Sequence, residues 1–238
     1  MNSVPQGLTQ KGVNKSILNE LNKIFEKPIN WLDVPCGHGD LLEYGYQELK
    51  QKNLVGIDLF PPTNKNTVQY LKIDVSLPFS ENVPLKPFDL ITCISGVMAF
   101  DNISMFFRET RRILKKDGVL VVTNDNFWTL RDRISYLLTG RFRRFKLCND
   151  KNEGNWNIVT LSTLHQSLEM QGYQVEKIQY TSIYPEDWLL LPLAFIIYLF
   201  QGLHLLTRKS DIPVKKRFEM FPITALLARH YILYCKQN

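Results

Sequence analysis

The sequence predicts an α/β protein built on a parallel, doubly wound sheet. Three observations carry this. Short apolar runs alternate with stretches of helical spacing from residue 13 to residue 180. Most of the runs are apolar at every position, as strands covered by helices on both faces are. Three of them end in an aspartate: Asp33, Asp58 and Asp74. In such sheets ligands sit at the carboxyl ends of the strands. Three strand-end carboxylates are more than a bare core needs.

Along the chain, residues 1–12 (MNSVPQGLTQKG) lack the apolar segment of a secretory signal and read as a flexible arm. Val13, Ile17, Leu18, Leu21, Ile24 and Phe25 follow helical spacing, and Pro28 closes that helix. Residues 29–34 form the first strand. It enters a tight loop with Gly37 and Gly39, and then an amphipathic stretch with Leu41, Leu42, Tyr46 and Leu49. Glycines let a ligand approach the backbone there, and the amides of the turn and helix start face it. Residues 54–58 and 68–74 are the next strands, and 88–94 (FDLITCI) the fourth. A helix with Ile103, Phe106, Phe107, Thr110, Ile113 and Leu114 ends at Asp117-Gly118, and residues 119–123 (VLVVT) are the fifth strand. A helix over 161–172 and a sixth strand over 173–180 follow.

Hydrophobic residues make up 45% of the 238 and charged residues 22%, which suits one globular domain. The net charge of +6 does not by itself imply nucleic acid, and none is expected as a partner. Much of the basic excess lies at 131–146 and 208–217, beside apolar material. That points to an anionic surface such as a membrane or a phosphorylated acceptor, or to solvated faces that aid solubility. The four cysteines and four histidines are scattered, so no metal site is expected and a reduced, cytoplasmic setting fits.

The loop residues narrow the ligand. The third glycine of Gly-x-Gly-x-x-Gly is Leu42 here, and there is no Gly-x-x-x-x-Gly-Lys phosphate loop. A ribose-bearing ligand without phosphates fits better. Asp58 would take two ribose hydroxyls, Asp74 the exocyclic amine of adenine, and Asp33 with the loop an amino-acid moiety.

The ordered series WLDVPCGHGD, LVGIDLF, LKIDVSLPF, FDLITCISGVMAFDN and FRETRRILKKDGVLVVTND resembles the class I S-adenosylmethionine-dependent methyltransferases over roughly residues 29–180. The resemblance implies a Rossmann-like seven-stranded sheet whose last strand returns antiparallel beside the sixth, and residues 229–236 (RHYILYCK) have that pattern. It implies S-adenosylmethionine as cofactor. Asp33, Gly37 and Gly39 would line its methionine end, Asp58 its ribose, and Asp74 with Val75 its adenine. Ser95 and Gly96 would lie beside the sulfonium. Two positions depart from the family pattern: Pro35 stands where glycine is usual, and Met98-Ala99-Phe100 where many relatives carry Glu-His.

Methyl transfer needs in-line alignment more than acid–base help, yet a hydroxyl acceptor still needs a proton sink. Asp125 is the nearest candidate base, with a helix N-cap or turn role as its alternative. Phe100 could pack on cofactor or acceptor. His165 reads as structural, and His38 as a polar neighbour of the cofactor.

The arm and first helix (1–28) precede a methyltransferase domain (29–238). That domain carries an acceptor-side insertion over 127–158 and an apolar helical insertion over 184–228, between the last two strands. Residues 127–145 mix aromatics with five arginines, and Trp128, Ile134, Leu137 and Leu138 suggest an amphipathic helix ended at Thr139-Gly140. This pattern also resembles a subgroup found with surface-polysaccharide biosynthesis, although Asn155-Trp156-Asn157-Ile158 replaces its usual Gly-His-Ile. Residues 188–207 contain no Lys, Arg, Asp or Glu. A single membrane span is excluded if the strands on either side share one sheet. An interfacial hairpin, with 218–228 as second arm and 208–217 at the headgroups, and a fold over the sheet as an acceptor-site cap or a dimer face both stay open. The expected acceptor is a sugar or lipid-linked glycan precursor, bound at or near the cytoplasmic face of a membrane. A small hydrophobic acceptor (quinone or isoprenoid), or a cofactor-binding membrane adaptor without catalysis, are the alternatives.

Overall fold

The computed structural model describes residues 3–25, 27–148 and 156–238. In chain order the elements are α1 (Val13–Ile24), β1 (Asn30–Asp33), α2 (Asp40–Gln47), β2 (Asn53–Asp58), β3 (Gln69–Lys72), β4 (Phe88–Ile94), α3 (Ile103–Ile113), β5 (Leu114–Asp125), α4 (Leu130–Thr139), α5 (Leu161–Met170), β6 (Tyr173–Thr181), α6 (Pro185–Trp188), α7 (Leu191–Thr207), α8 (Val214–Met220) and β7 (His230–Gln237). The strands form one sheet in the order β3-β2-β1-β4-β5-β7-β6. Neighbours among the first five strands pair parallel, and β7 lies antiparallel between β5 and β6. The expected Rossmann-like sheet with its antiparallel last strand is therefore present.

Side chains alternate across the strands, so each strand feeds two apolar layers. Leu32, Val55, Ile57, Ile91, Leu120 and Val122 pack with Phe106 and Phe107 of α3 and Leu164 and Leu168 of α5. Trp31, Leu54, Leu90, Val119 and Val121 pack with Ile17 and Leu21 of α1 and Leu41 and Leu42 of α2. Full burial of such side chains contributes about 1.5–3 kcal/mol each, which is why these runs are apolar at every position.

Several expectations are corrected. The opening residues are not a loose arm: Asn14 Nδ2 donates to the carbonyls of Pro5 (2.9 Å) and Gln6 (3.2 Å), and Ser182 Oγ donates to that of Lys11 (2.9 Å). A segment poor in apolar residues is held by its backbone acceptors instead. β3 ends at Lys72, so Asp74 lies beyond it in a turn, accepting from the Ser76 N–H. The fifth strand starts directly after α3, because Leu114 pairs with Phe88 before the register shifts to Leu90↔Val119. Asp117-Gly118 is thus an excursion inside β5 rather than a turn before it.

The apolar insertion forms α6, α7 and α8, and among the described residues no helix is long and apolar enough to cross a membrane. Residues 218–228 are not one helical arm. α8 stops at Met220, Pro222 follows, and a short 3-10 turn (Ile223–Leu226) leads to β7. Arg217 is not at a headgroup surface: it donates to the carbonyls of Leu205, Arg208, Ser210 and Ile212, closing the loop after α7.

Candidate active site

The carboxyl ends of β1, β2 and β4 surround a cavity of about 250 Å³, lined among others by Asp33, Gly37, Asp58, Ser95 and Gly96. β1 delivers Asp33 into it almost fully buried. The Trp31 indole donates to Thr92 Oγ1 (2.9 Å), and Thr92 donates to Asp33 Oδ1 (2.6 Å), so the β1–β4 register fixes the carboxyl. Burial pushes the Asp33 carboxyl up to about 7; the Thr92 hydrogen bond opposes this and the Asp58 charge adds to it.

Asp58 ties two loops together. Its Oδ2 accepts the Gly37 N–H and its Oδ1 the Phe60 N–H, both at 2.9 Å. Lys65 braces the glycine loop from outside, donating to the His38 carbonyl (2.6 Å) and Asp40 (2.7 Å). Pro35 is accommodated by a close fit: a Cβ at Gly96 would lie 2.2 Å from Pro35 Cδ. Gly39 serves packing of a similar kind, since a Cβ there would lie 2.4 Å from the Tyr70 hydroxyl. Gly39, Asp74 and Val75 are not among the residues lining this cavity, and Asp74 is exposed.

Other residues do line it, and their sequence signals were weak. Gln6, Gly7, Leu8 and Thr9 of the opening segment lie over the cavity, and Thr9 Oγ1 is 2.8 Å from Ser95 Oγ. Asn14 also lines it, buried, and its Oδ1 has no hydrogen-bond partner among the described residues. Trp156 and Arg144 come from the insertion. Phe100 is instead core, buried against Phe106 with ring centroids 4.7 Å apart, and does not line the cavity.

Arg144 also lines a second, polar cavity of about 190 Å³ with Gln10, Asp125, Asn126, Phe127, Asp132, Arg143 and Arg229. Asp125 lies there buried, 2.9 Å from Arg144 and 3.1 Å from His230 Nδ1. Burial acts to raise its carboxyl, but the His230 hydrogen bond and the Arg144 charge hold it below the usual carboxylate range. It does not cap α4; Thr129 does, accepting from the Asp132 N–H. The basic stretch is largely tied down: Arg131 pairs with Asp187 (2.8 Å), Arg133 donates to Gln201 (2.8 Å), and Arg144 holds Asp125. Burial also keeps the thiols of Cys36, Cys93 and Cys235 protonated, so none of them is an activated nucleophile.

Residues 9–178 match the family described as methyltransferase domain. The chain belongs to that family. This methyltransferase is also similar, at 28% identity over 125 residues, to an uncharacterized protein (MJ1252) of Methanocaldococcus jannaschii. That match covers 52% of the chain and about half (47%) of the relative. The fold is similar to that of a SAM-dependent methyltransferase from Clostridium acetobutylicum (TM-score 0.59, 13% identity, 97% of this chain and 93% of that one). It is also similar to one from Archaeoglobus fulgidus (TM-score 0.56, 16% identity, 94% and 92%). Those two solved structures are described as SAM-dependent, and the cavity here offers groups that would suit S-adenosylmethionine. Its α-ammonium calls for buried acceptors, and Asp33 and the unpartnered Asn14 Oδ1 are two, while no phosphate-binding loop is needed.

Proposed function

We propose that this methyltransferase O-methylates a sugar or lipid-linked glycan precursor while resting on an anionic membrane surface. The cofactor would be held at its methionine end by Asp33, Asn14, Gly37 and the loop shaped by Gly39. Asp58 would take its ribose, Asp74 and Val75 its adenine side, and Ser95 and Gly96 the region of the sulfonium. When bound, it supplies an electrophilic methyl group that leaves sulfur as an acceptor lone pair takes it up. The protein aligns the acceptor, excludes water and removes the acceptor proton.

The observation that carries the acceptor class is the second cavity. Arg144 lines both cavities, and the second is walled almost wholly by polar and charged side chains. That suits a polyhydroxylated or anionic group better than a quinone ring. The membrane element rests on α7, which leaves Phe195, Ile196, Leu199, Phe200, Leu203 and Leu206 in solvent, and on α4, where Leu137 and Leu138 are 82% and 75% exposed. Arg208 and Lys209 directly follow α7, and both are exposed.

Calorimetric titration with S-adenosylmethionine tests the donor half. The wild type is expected to bind, and Asp58→Ala to lose about tenfold or more, the usual effect of removing a hydrogen bond to a charged group. No binding, or an Asp58→Ala variant indistinguishable from wild type, would remove this reading and the adaptor alternative together.

A further inference from the structure

The last strand brings an imidazole to a position that the sequence pattern did not mark. His230, first residue of β7, pairs across the sheet with Asp125 of β5. It is fully buried. Its Nδ1 is 3.1 Å from Asp125 Oδ1, and its Nε2 is 2.9 Å from Thr123 Oγ1 and 3.5 Å from Ser95 Oγ. The partners fix the tautomer. Ionised Asp125 only accepts, so Nδ1 carries the proton. Thr123 Oγ1 already accepts the Ser95 N–H (3.0 Å), which frees its own O–H to donate to the Nε2 lone pair.

The group lies between the two cavities. Ser95 lines the donor cavity and Asp125 the polar one, while Arg144 pairs with Asp125 and lines both. Ser95 is held at φ +54°, in the left-handed region that favours glycine. That conformation places one residue so that its N–H meets Thr123 while its Oγ stands near His230 and meets Thr9.

We propose that Ser95, His230 and Asp125 form the proton relay for the acceptor hydroxyl, with Thr9 as a gate on its outer end. The proposal rests on the hydroxyl-acceptor reading above. The acceptor O–H bond breaks as its oxygen is methylated, and its proton passes to Ser95 Oγ. The proton of Ser95 passes in turn to His230 Nε2. The imidazolium keeps Nδ1–H on Asp125 and turns Nε2–H to Thr123 Oγ1, whose own O–H rotates away. After turnover the proton returns by the same path to water. Thr9 occupies the Ser95 hydroxyl until an acceptor displaces it. His230 touches no substrate and is a positioning residue; Ser95 is the group the acceptor meets.

Two readouts test this on the full chain. In protein labelled with ¹⁵N at histidine, the wild-type His230 ring is expected as the Nδ1–H tautomer, and Asp125→Asn is expected to move it toward Nε2–H. An Nε2–H ring in the wild type overturns the relay, and this measurement needs no acceptor. For His230→Gln, S-adenosylmethionine affinity is expected to stay within about twofold, while transfer of labelled methyl groups into cell extract falls about a hundredfold, the low end for general-base loss. Transfer kept within threefold overturns the relay. A wild type that labels only material without hydroxyl groups overturns the acceptor reading and the relay with it, whereas an Nε2–H ring overturns the relay alone.

Discussion

At the scale of single residues, Asp33 is the most informative side chain. Its carboxyl is buried at a strand end and pushed up to about 7 by that burial, so the folded chain holds this proton more tightly than the unfolded chain does. For the ligand-free protein the contribution of Asp33 to stability is therefore most favourable at pH values below about 4. It declines as pH rises toward about 7, by roughly 4 kcal/mol in all. Pairing with an α-ammonium favours the ionised form, and so the dependence of binding has the opposite sign. Affinity for S-adenosylmethionine is expected to rise with pH, approaching tenfold per unit between about pH 5 and 7 and flattening above. Asp33→Asn should weaken binding and abolish that slope. Titrations across this range check both, and a pH-independent wild type would refute the assigned role. Asp33 and Asp58 were legible in the sequence because each ends an apolar run. Asn14, Arg144 and His230 were not, because Asn14 and Arg144 reach the cavity, and His230 reaches Asp125 and Ser95, from elements that are distant in sequence and read as ordinary helix, basic loop or strand. Local spacing carries no record of such encounters.

Among the elements, β4 was legible to the residue, since 88–94 is apolar or small at every position but Asp89 and is bounded by Pro87 and Ser95. β3 was overdrawn and β5 underdrawn. Asp74 looked like a strand end but satisfies its own turn, and the Asp117-Gly118 turn signal was absorbed as an excursion within a continuous ladder. The apolar insertion was legible as unusual but not in shape. Its length resembled a membrane span, whereas Pro185 opens α6, α7 runs for 17 residues, and the chain then turns back through α8 to β7. Only Ala194 and Leu205 of α7 are buried. Because the exposed side chains make few contacts, Leu199→Glu with Phe200→Glu should leave thermal stability nearly unchanged, within about 0.5 kcal/mol per site. The same pair should abolish flotation with vesicles containing anionic lipid. Undiminished flotation would show that α7 is not the docking element.

For the whole molecule, strand alternation and strand-end acids sufficed to anticipate the sheet, because burial on both faces dictates composition along every central strand. They also pointed to the strand ends where the cavity lined by Asp33 and Asp58 lies, since the carboxyl ends of β1, β2 and β4 must converge wherever this strand order forms. The acceptor side was much less legible. The cavity proposed for it is lined from the opening segment, the end of β5, the loop after α4 and the residue before β7, which lie far apart in sequence. The surface-polysaccharide resemblance rests on residues 127–145, and of the stretch 155–158 that departs from it, Asn155 lies outside the described residues. The proposed reaction is methyl transfer to a hydroxyl of a glycan at a membrane surface. Its most direct test is incubation of the protein with methyl-labelled S-adenosylmethionine and a cell extract, followed by solvent partition and acid hydrolysis. Label is expected in carbohydrate-bearing, lipid-extractable material, released as an O-methylated sugar. Label confined to an apolar aglycone, or none transferred by protein that binds the donor tightly, would contradict it.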